Sequence, residues 1–276
     1  MIVLRFGKSG RLAQICETAI KLAIPSAIIY TANREGEFLI GDGLTDHSRH
    51  KTLDSLLQVH PSTKLVLLDT SVDHRSTTNL IAHETFKREV IASLDRRNAL
   101  SVAIGFSSGI TLVDAHRISD AAPHMLEYRN QKLAQESLFG ALTCPVFLPN
   151  IFTLVGPITY AAQGAAWAQI LRARLLRSSN VELNEPQAKK AWTSEFQVFK
   201  SVFGFLTEKI PDDINGPLVD GVFTLSDIAS GAYLPIPALA YSVGSATGWL
   251  NGDYLPPAPI TEHHSIGDEL IRALYP

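Results

Sequence analysis

The opening of the chain, up to Tyr30, leaves few folds open. Ile2 to Phe6 is a short, mainly apolar run, followed by Gly7-Lys8-Ser9-Gly10-Arg11-Leu12-Ala13. Leu12, Ile15, Cys16, Ala19, Ile20 and Leu22 then recur at helical spacing, and Pro25 precedes a second apolar run, Ala27 to Tyr30. Strand, glycine turn, helix and strand in so short a span form the βαβ signature. Gly7 and Gly10 permit a tight turn and let a pyrophosphate come close to the N-terminus of the helix. The spacing is Gly-x-x-Gly-x-x-Ala, and Ala13 allows close packing of helix on strand. Gly7, Ser9, Gly10, Arg11 and Leu12 are therefore the first candidate dinucleotide contacts.

The pattern continues. Phe38-Leu39-Ile40 and Lys64 to Leu68 read as further strands, the latter after a helix-like Leu53 to Val59. Phe86 to Leu94 reads as a helix, Leu100 to Phe106 as a strand, and Val146-Phe147-Leu148 as another after Pro145. Alternating strands and helices predict an α/β chain: a Rossmann-type doubly wound parallel sheet covered on both faces. Beyond Gly156-Pro157 the pattern changes. Ala161 to Leu176 and Ala191 to Leu206 read as helices, Val219 to Leu225 as strand-like, and Leu234 to Leu239 and Tyr254 to Ile260 as Pro-rich loop. We expect a nucleotide-binding domain over 1–156. Residues 157–276 are expected to be mainly a small substrate-binding cap, with some elements returning to the sheet.

Composition narrows the function classes. The chain is 46% hydrophobic and 18% charged, as globular proteins are. A net charge of −3 gives no reason to expect nucleic acid or an anionic membrane as partner. Cys16 and Cys144 fit no metal-ligand or disulfide framework and suit buried thiols. No uninterrupted apolar stretch is long enough for a membrane span, and Met1 to Gly10 is too short for a signal peptide. A cytoplasmic enzyme is the expectation.

Three places carry chemistry. After Tyr30 come Thr31-Ala32-Asn33-Arg34, with no acid before Glu35. An NAD enzyme usually places a carboxylate there for the ribose hydroxyls, whereas Arg34, helped by Arg11, can face a 2′-phosphate. NADP(H) is thus expected over NAD(H). Ser108, at the end of the strand closing in Phe106-Ser107-Ser108-Gly109, has a hydroxyl placed to hold a substrate carbonyl oxygen. Tyr128, Lys132 and Glu136 stand four apart, along one helix face. A lysine beside a tyrosine favours the phenolate, so this reading expects a lowered Tyr128 pKa and a proton donor or acceptor usable near neutral pH.

Together these features resemble the extended short-chain dehydrogenase/reductase family, the NAD-dependent epimerase/dehydratase group acting on nucleotide sugars. The resemblance covers most of residues 1–160. It rests on the glycine turn, Ser108, Tyr128-x-x-x-Lys132-x-x-x-Glu136 and the run Pro149 to Pro157. The opening Phe6-Gly7-Lys8-Ser9-Gly10 looks like that of the dTDP-4-dehydrorhamnose reductase subgroup. The chain also departs from the family. Asn150, Thr153 and Val155 stand where the family has Arg, Asn and Tyr, and Asp69-Thr70-Ser71 replaces two alanines beside the cofactor.

The resemblance implies Ser108, Tyr128 and Lys132 as catalytic residues. Asp69 and Thr70 join the glycine turn, Arg34, Tyr128 and Lys132 as cofactor contacts, and Thr153 joins Ser108 at the substrate. Glu136 is expected to be structural. Arg172, Arg174 and Arg177 are unspecific candidates for the nucleotide diphosphate. Gly109-Ile110 follows Ser108 where a dehydratase carries an acid–base pair and an epimerase-reductase a cysteine, so hydride transfer alone remains. The implied activity is NADPH-dependent reduction of a nucleotide-linked 4-keto-6-deoxy sugar, in deoxysugar or polysaccharide biosynthesis. The alternatives are an NAD-dependent nucleotide-sugar 4-epimerase and an NADP-binding regulator without catalysis. A homodimer through the helices flanking the site is common in the family.

Overall fold

A computed structural model of the chain describes residues 1–7, 10–33, 35–40, 49–61, 63–71, 78–116, 118, 124–156, 187, 189–207, 215–224 and 226. The chain forms two compact units, residues 1–150 with 201–217 and residues 151–200 with 218–276. The expected helix at 161–176 and the Pro-rich segments at 234–239 and 254–260 lie outside the described residues, as do Ser9, Arg34, Arg172, Arg174 and Arg177.

The first unit is built on a seven-stranded sheet. Strand β1 (Ile2–Phe6) lies between β2 (Ile28–Ala32) and β5 (Leu65–Asp69), parallel to both. Strands β6 (Leu100–Gly105) and β7 (Val146–Phe147) extend the parallel set beyond β5. Ile2, Leu4 and Phe6 alternate onto one face. There they join one core cluster with Leu56 of helix α2 (Leu53–Val59), Val90, Ile91 and Leu94 of α3 (Thr78–Arg96) and Phe139 of α4 (His124–Gly140). Arg5 turns to the opposite face and pairs at 2.6 Å with Glu17 of α1 (Arg11–Ala23). Every residue of β5 is buried, as a central strand covered on both faces requires.

Two expectations about elements need correcting. Strand β3 (Phe38–Ile40) is antiparallel to β2, and β4 (Arg49–His50) is antiparallel to β3. Only residues 33–37 separate β2 from β3, and a parallel crossover needs about a dozen or more. Asn33 closes this turn. Its side-chain Oδ1 accepts from the Glu37 N–H at 2.8 Å, its side-chain Nδ2 donates to the Glu37 carboxylate at 3.0 Å, and Gly36 has φ +83°.

In the second unit, Lys190–Ser194 is a strand (β9) and not the start of a helix. It runs parallel to β8 (Thr153–Val155) and antiparallel to β10 (Gly221–Phe223). Trp192 and Thr193 favour extended backbone. The Ser194 hydroxyl then accepts from the Gln197 N–H at 2.9 Å, so helix α5 (Glu195–Leu206) starts only after Ser194.

The chain runs from β1 outward to β4, then returns to place β5 on the other side of β1. That reversal opens a crevice at the C-terminal ends of β1 and β5, where open α/β sheets bind ligands.

Candidate active site

Gly7 follows β1 at this switch point with φ +90°, a conformation side chains rarely adopt. A Cβ there would lie 2.9 Å from the Ser71 nitrogen and 3.0 Å from Thr70. Thr70 fastens the turn to the end of β5. Its N–H donates to Phe6 O at 3.0 Å, and its hydroxyl stands 3.1 Å from Phe6 O and 3.2 Å from Gly7 O. Gly10 is exposed and extended, and no side chain caps the helix behind it. The first N–H groups of α1 thus keep their partial positive charge, with no acidic residue in the first turn. A Cβ on Gly10 would meet nothing within 4 Å. An open glycine turn at a bare helix N-terminus fits the pyrophosphate of a dinucleotide. Arg11 and Leu12 are half-buried in the first turn of α1.

Tyr128, Lys132 and Glu136 do share one face of α4, and they meet three consecutive residues beyond β6. The Tyr128 phenol is hydrogen-bonded to the Ser108 hydroxyl. Lys132 Nζ donates to Phe106 O at 2.6 Å. The Ser107 hydroxyl donates to the Glu136 carboxylate. Asn150 donates to Ser108 O at 3.3 Å and to the Thr111 hydroxyl at 3.1 Å, holding the same segment from the other side. Ser108 and Tyr128 are half-buried, whereas Lys132 is buried.

The tuning differs from the expectation. Burial raises the Tyr128 pKa, with the Ser108 hydrogen bond acting in the opposite sense. Lys132 is engaged elsewhere: besides Phe106 O, its ammonium donates to Gln135 Oε1 at 2.9 Å. Burial pulls Lys132 down to about 8 against the upward pull of Asp69.

Asp69 lies at the end of β5, as expected, but its carboxylate is turned inward. Oδ2 accepts from Gln135 Nε2 at 2.8 Å and stands 3.0 Å from Lys87 Nζ. Oδ1 accepts from the Ser71 N–H at 3.1 Å and its hydroxyl at 2.6 Å. Burial works to raise its pKa, but the Lys87 charge and these hydrogen bonds prevail and hold it low. Lys87 is raised in turn: desolvation pulls it down, and Asp69 and Glu84 outweigh that. Thr153 belongs to the second unit, half-buried on β8.

The structure thus brings Ser108, Tyr128 and Lys132 together, and Gly7 with Asp69 and Thr70. Sequence reasoning missed Lys87 and Gln135. A signal existed for Lys87: it precedes Val90, Ile91 and Leu94 by three, four and seven, so it lies on the buried stripe of α3. A charge at such a position needs a buried partner.

No protein-family model matches the chain, and no curated protein sequence does. Solved structures match its fold. The capsular polysaccharide assembling protein CapF from Staphylococcus aureus aligns over 84% of this chain at 15% identity and a TM-score of 0.51. This chain spans only 57% of that protein's length. A GalE-like L-threonine dehydrogenase from Cupriavidus necator covers 87% of this chain and 84% of its own, with 13% identity and a TM-score of 0.57. The UDP-glucuronic acid 4-epimerase from Bacillus cereus, solved with UDP-glucuronic acid and NAD, covers all of both chains (100% each) at 13% identity and a TM-score of 0.55. At these identities the likeness is one of fold, the Rossmann-type α/β architecture.

Proposed function

We propose that this chain is an NADPH-dependent reductase for the keto group of a nucleotide-linked 4-keto-6-deoxy sugar. The observation that carries the reading is the Ser108–Tyr128 hydrogen bond on the helix face that also holds Lys132 against Phe106 O. A nucleotide sugar as substrate is supported by the resemblance read from the sequence and by the UDP-glucuronic acid 4-epimerase among the fold's neighbours. A place in polysaccharide biosynthesis is supported by the capsular polysaccharide assembling protein.

Gly7, Ser9, Gly10, Arg11 and Leu12 would hold the pyrophosphate and Arg34 the 2′-phosphate, with Thr70 and the backbone of Asp69 at the crevice end of β5. When bound, the nicotinamide supplies the hydride for the sugar's carbonyl carbon. Tyr128 gives its phenolic proton to the carbonyl oxygen as negative charge grows there. Ser108 donates a hydrogen bond to the same oxygen. With Phe106 O and Gln135 Oε1 taking two of its three donors, the Lys132 ammonium would use the third to hold the ribose hydroxyls. Thr153, the residue the family resemblance assigns to the substrate, would hydrogen-bond the sugar. Residues 1–156 would serve the cofactor and 157–276 mainly the substrate.

Burial of Tyr128 keeps the phenol in its donor form at neutral pH. That suits reduction, which begins by giving a proton, better than epimerisation, which begins by taking one. The epimerase reading draws its support from the neighbour solved with NAD.

The experiment is NADPH oxidation against a panel of nucleotide-linked 4-keto sugars, with NADH as the arm that tests Arg34. Stoichiometric oxidation is expected, and Tyr128→Phe should lower kcat by about 100-fold or more. Sugar conversion without oxidation would replace the reductase with the epimerase. Unchanged turnover in the Phe variant would remove Tyr128 from the chemistry.

A further inference from the structure

The Lys132 ammonium is buried, and the structure gives it two acceptors, Phe106 O and Gln135 Oε1. Gln135 has its amide orientation dictated from behind. Its NH2 faces the Asp69 carboxylate, an acceptor only, so its oxygen must face Lys132. Asp69 is anchored by Ser71 and by Lys87, which reaches in from α3 and also pairs with Glu84 at 2.8 Å. The line Lys87–Asp69–Gln135–Lys132 thus ties β5, α3 and α4 together behind the candidate site. An apolar filling would serve a merely structural purpose at lower desolvation cost.

We propose that Asp69 and Gln135 are positioning residues for Lys132: the bridge aims the ammonium, and the Asp69 charge sets how readily it keeps its proton. This deepens the reductase reading and rests on it for the role of Lys132. The charged groups facing that ammonium are Asp69 from β5, Lys87 and Glu84 from α3, and Glu136 from its own helix. Asp69 and both glutamates favour the proton, whereas Lys87 and burial disfavour it. Removing Asp69 and removing Lys87 must therefore move the Lys132 titration in opposite directions. Packing damage alone has no reason to produce opposite signs.

The test is an NMR titration of the full-length protein carrying 13C-labelled lysine, with the Lys132 signal assigned from its loss in Lys132→Met. Wild type is expected to titrate near pH 8. Asp69→Asn and Gln135→Met should each lower that value, Asp69→Asn by about one pH unit or more, and Lys87→Met should raise it. Gln135→Met leaves no buried charge without its ion partner, so it keeps the test alive if Asp69→Asn does not fold. Unmoved titration in Gln135→Met and Lys87→Met, or movement of both in one direction, overturns the proposal. The alkaline limb of kcat/KM for NADPH oxidation is measured on the same variants. Titrations that shift as described while that limb stays fixed would uphold the positioning role and sink the catalytic role of Lys132. If both move together, both readings stand.

Discussion

At the scale of the residue, Gly7 is where sequence and geometry agree most closely. Its φ of +90° and the 2.9 Å approach of the Ser71 nitrogen each exclude a side chain. Gly7→Ala must therefore strain the backbone or push β5 away, at a cost of about 1–3 kcal/mol. Urea unfolding should show the lower midpoint, and the thermal shift given by NADPH should shrink with it. Equal midpoints would mean that the turn relaxes freely and that Thr70 does not clamp it. Other residues were hidden from the sequence for a physical reason. Asp69 and Gln135 meet across 66 positions. No local periodicity records such a meeting, whereas Tyr128 and Lys132 are one helical turn apart and legible at sight. The Tyr128 pKa was misjudged because the sequence shows a neighbouring charge but not burial, and burial dominates.

At the scale of the element, legibility followed the strength of the local pattern. The βαβ opening was readable because Ile2 to Phe6 is a short, wholly buried run while Ile15, Ala19 and Ile20 fall on one buried helical stripe. The β2–β3 hairpin was not, since an apolar triplet such as Phe38–Ile40 has no direction of its own; the short turn at 33–37 gives it one. Strand β9 was masked by the amphipathic helix immediately behind it. Ser194 separates the two, and its cap can be tested. Ser194→Ala removes the acceptor for the Gln197 N–H and should cost about 1 kcal/mol. Circular dichroism during urea unfolding reads that loss directly, and Ser194→Thr, which keeps the hydroxyl, should recover most of it. If alanine proves neutral, the boundary between β9 and α5 is set by packing and not by the cap.

At the scale of the molecule, the buried charges decide how stability depends on pH. Asp69 has a depressed pKa, so its contribution is present above the unfolded carboxylate range and lost as acid protonates it. Lys132 gives a slope of the same sign at higher pH, although for it burial disfavours the charged form. Its folded value of about 8 lies below the ordinary 10.5, so between those values the unfolded chain binds more protons than the native one, and stability rises with pH. Below that window both states are protonated and the burial cost is borne in full. A single group gains about 1.4 kcal/mol for each pH unit inside the window, or about 3 kcal/mol across it. Cys16 opposes this above pH 9: burial raises its thiol, so the unfolded chain loses its proton first and native stability falls. For these two groups together the curve therefore climbs from about pH 8 to 9, levels off as the two slopes cancel, and falls above the ordinary lysine value of 10.5. Lys132→Met isolates the lysine. The stability of wild type minus that of the variant, measured by urea unfolding from pH 7 to 10, should increase steadily above pH 8. A flat difference would mean that Lys132 keeps an ordinary pKa. The bridge from Asp69 would then offset the whole of the burial cost.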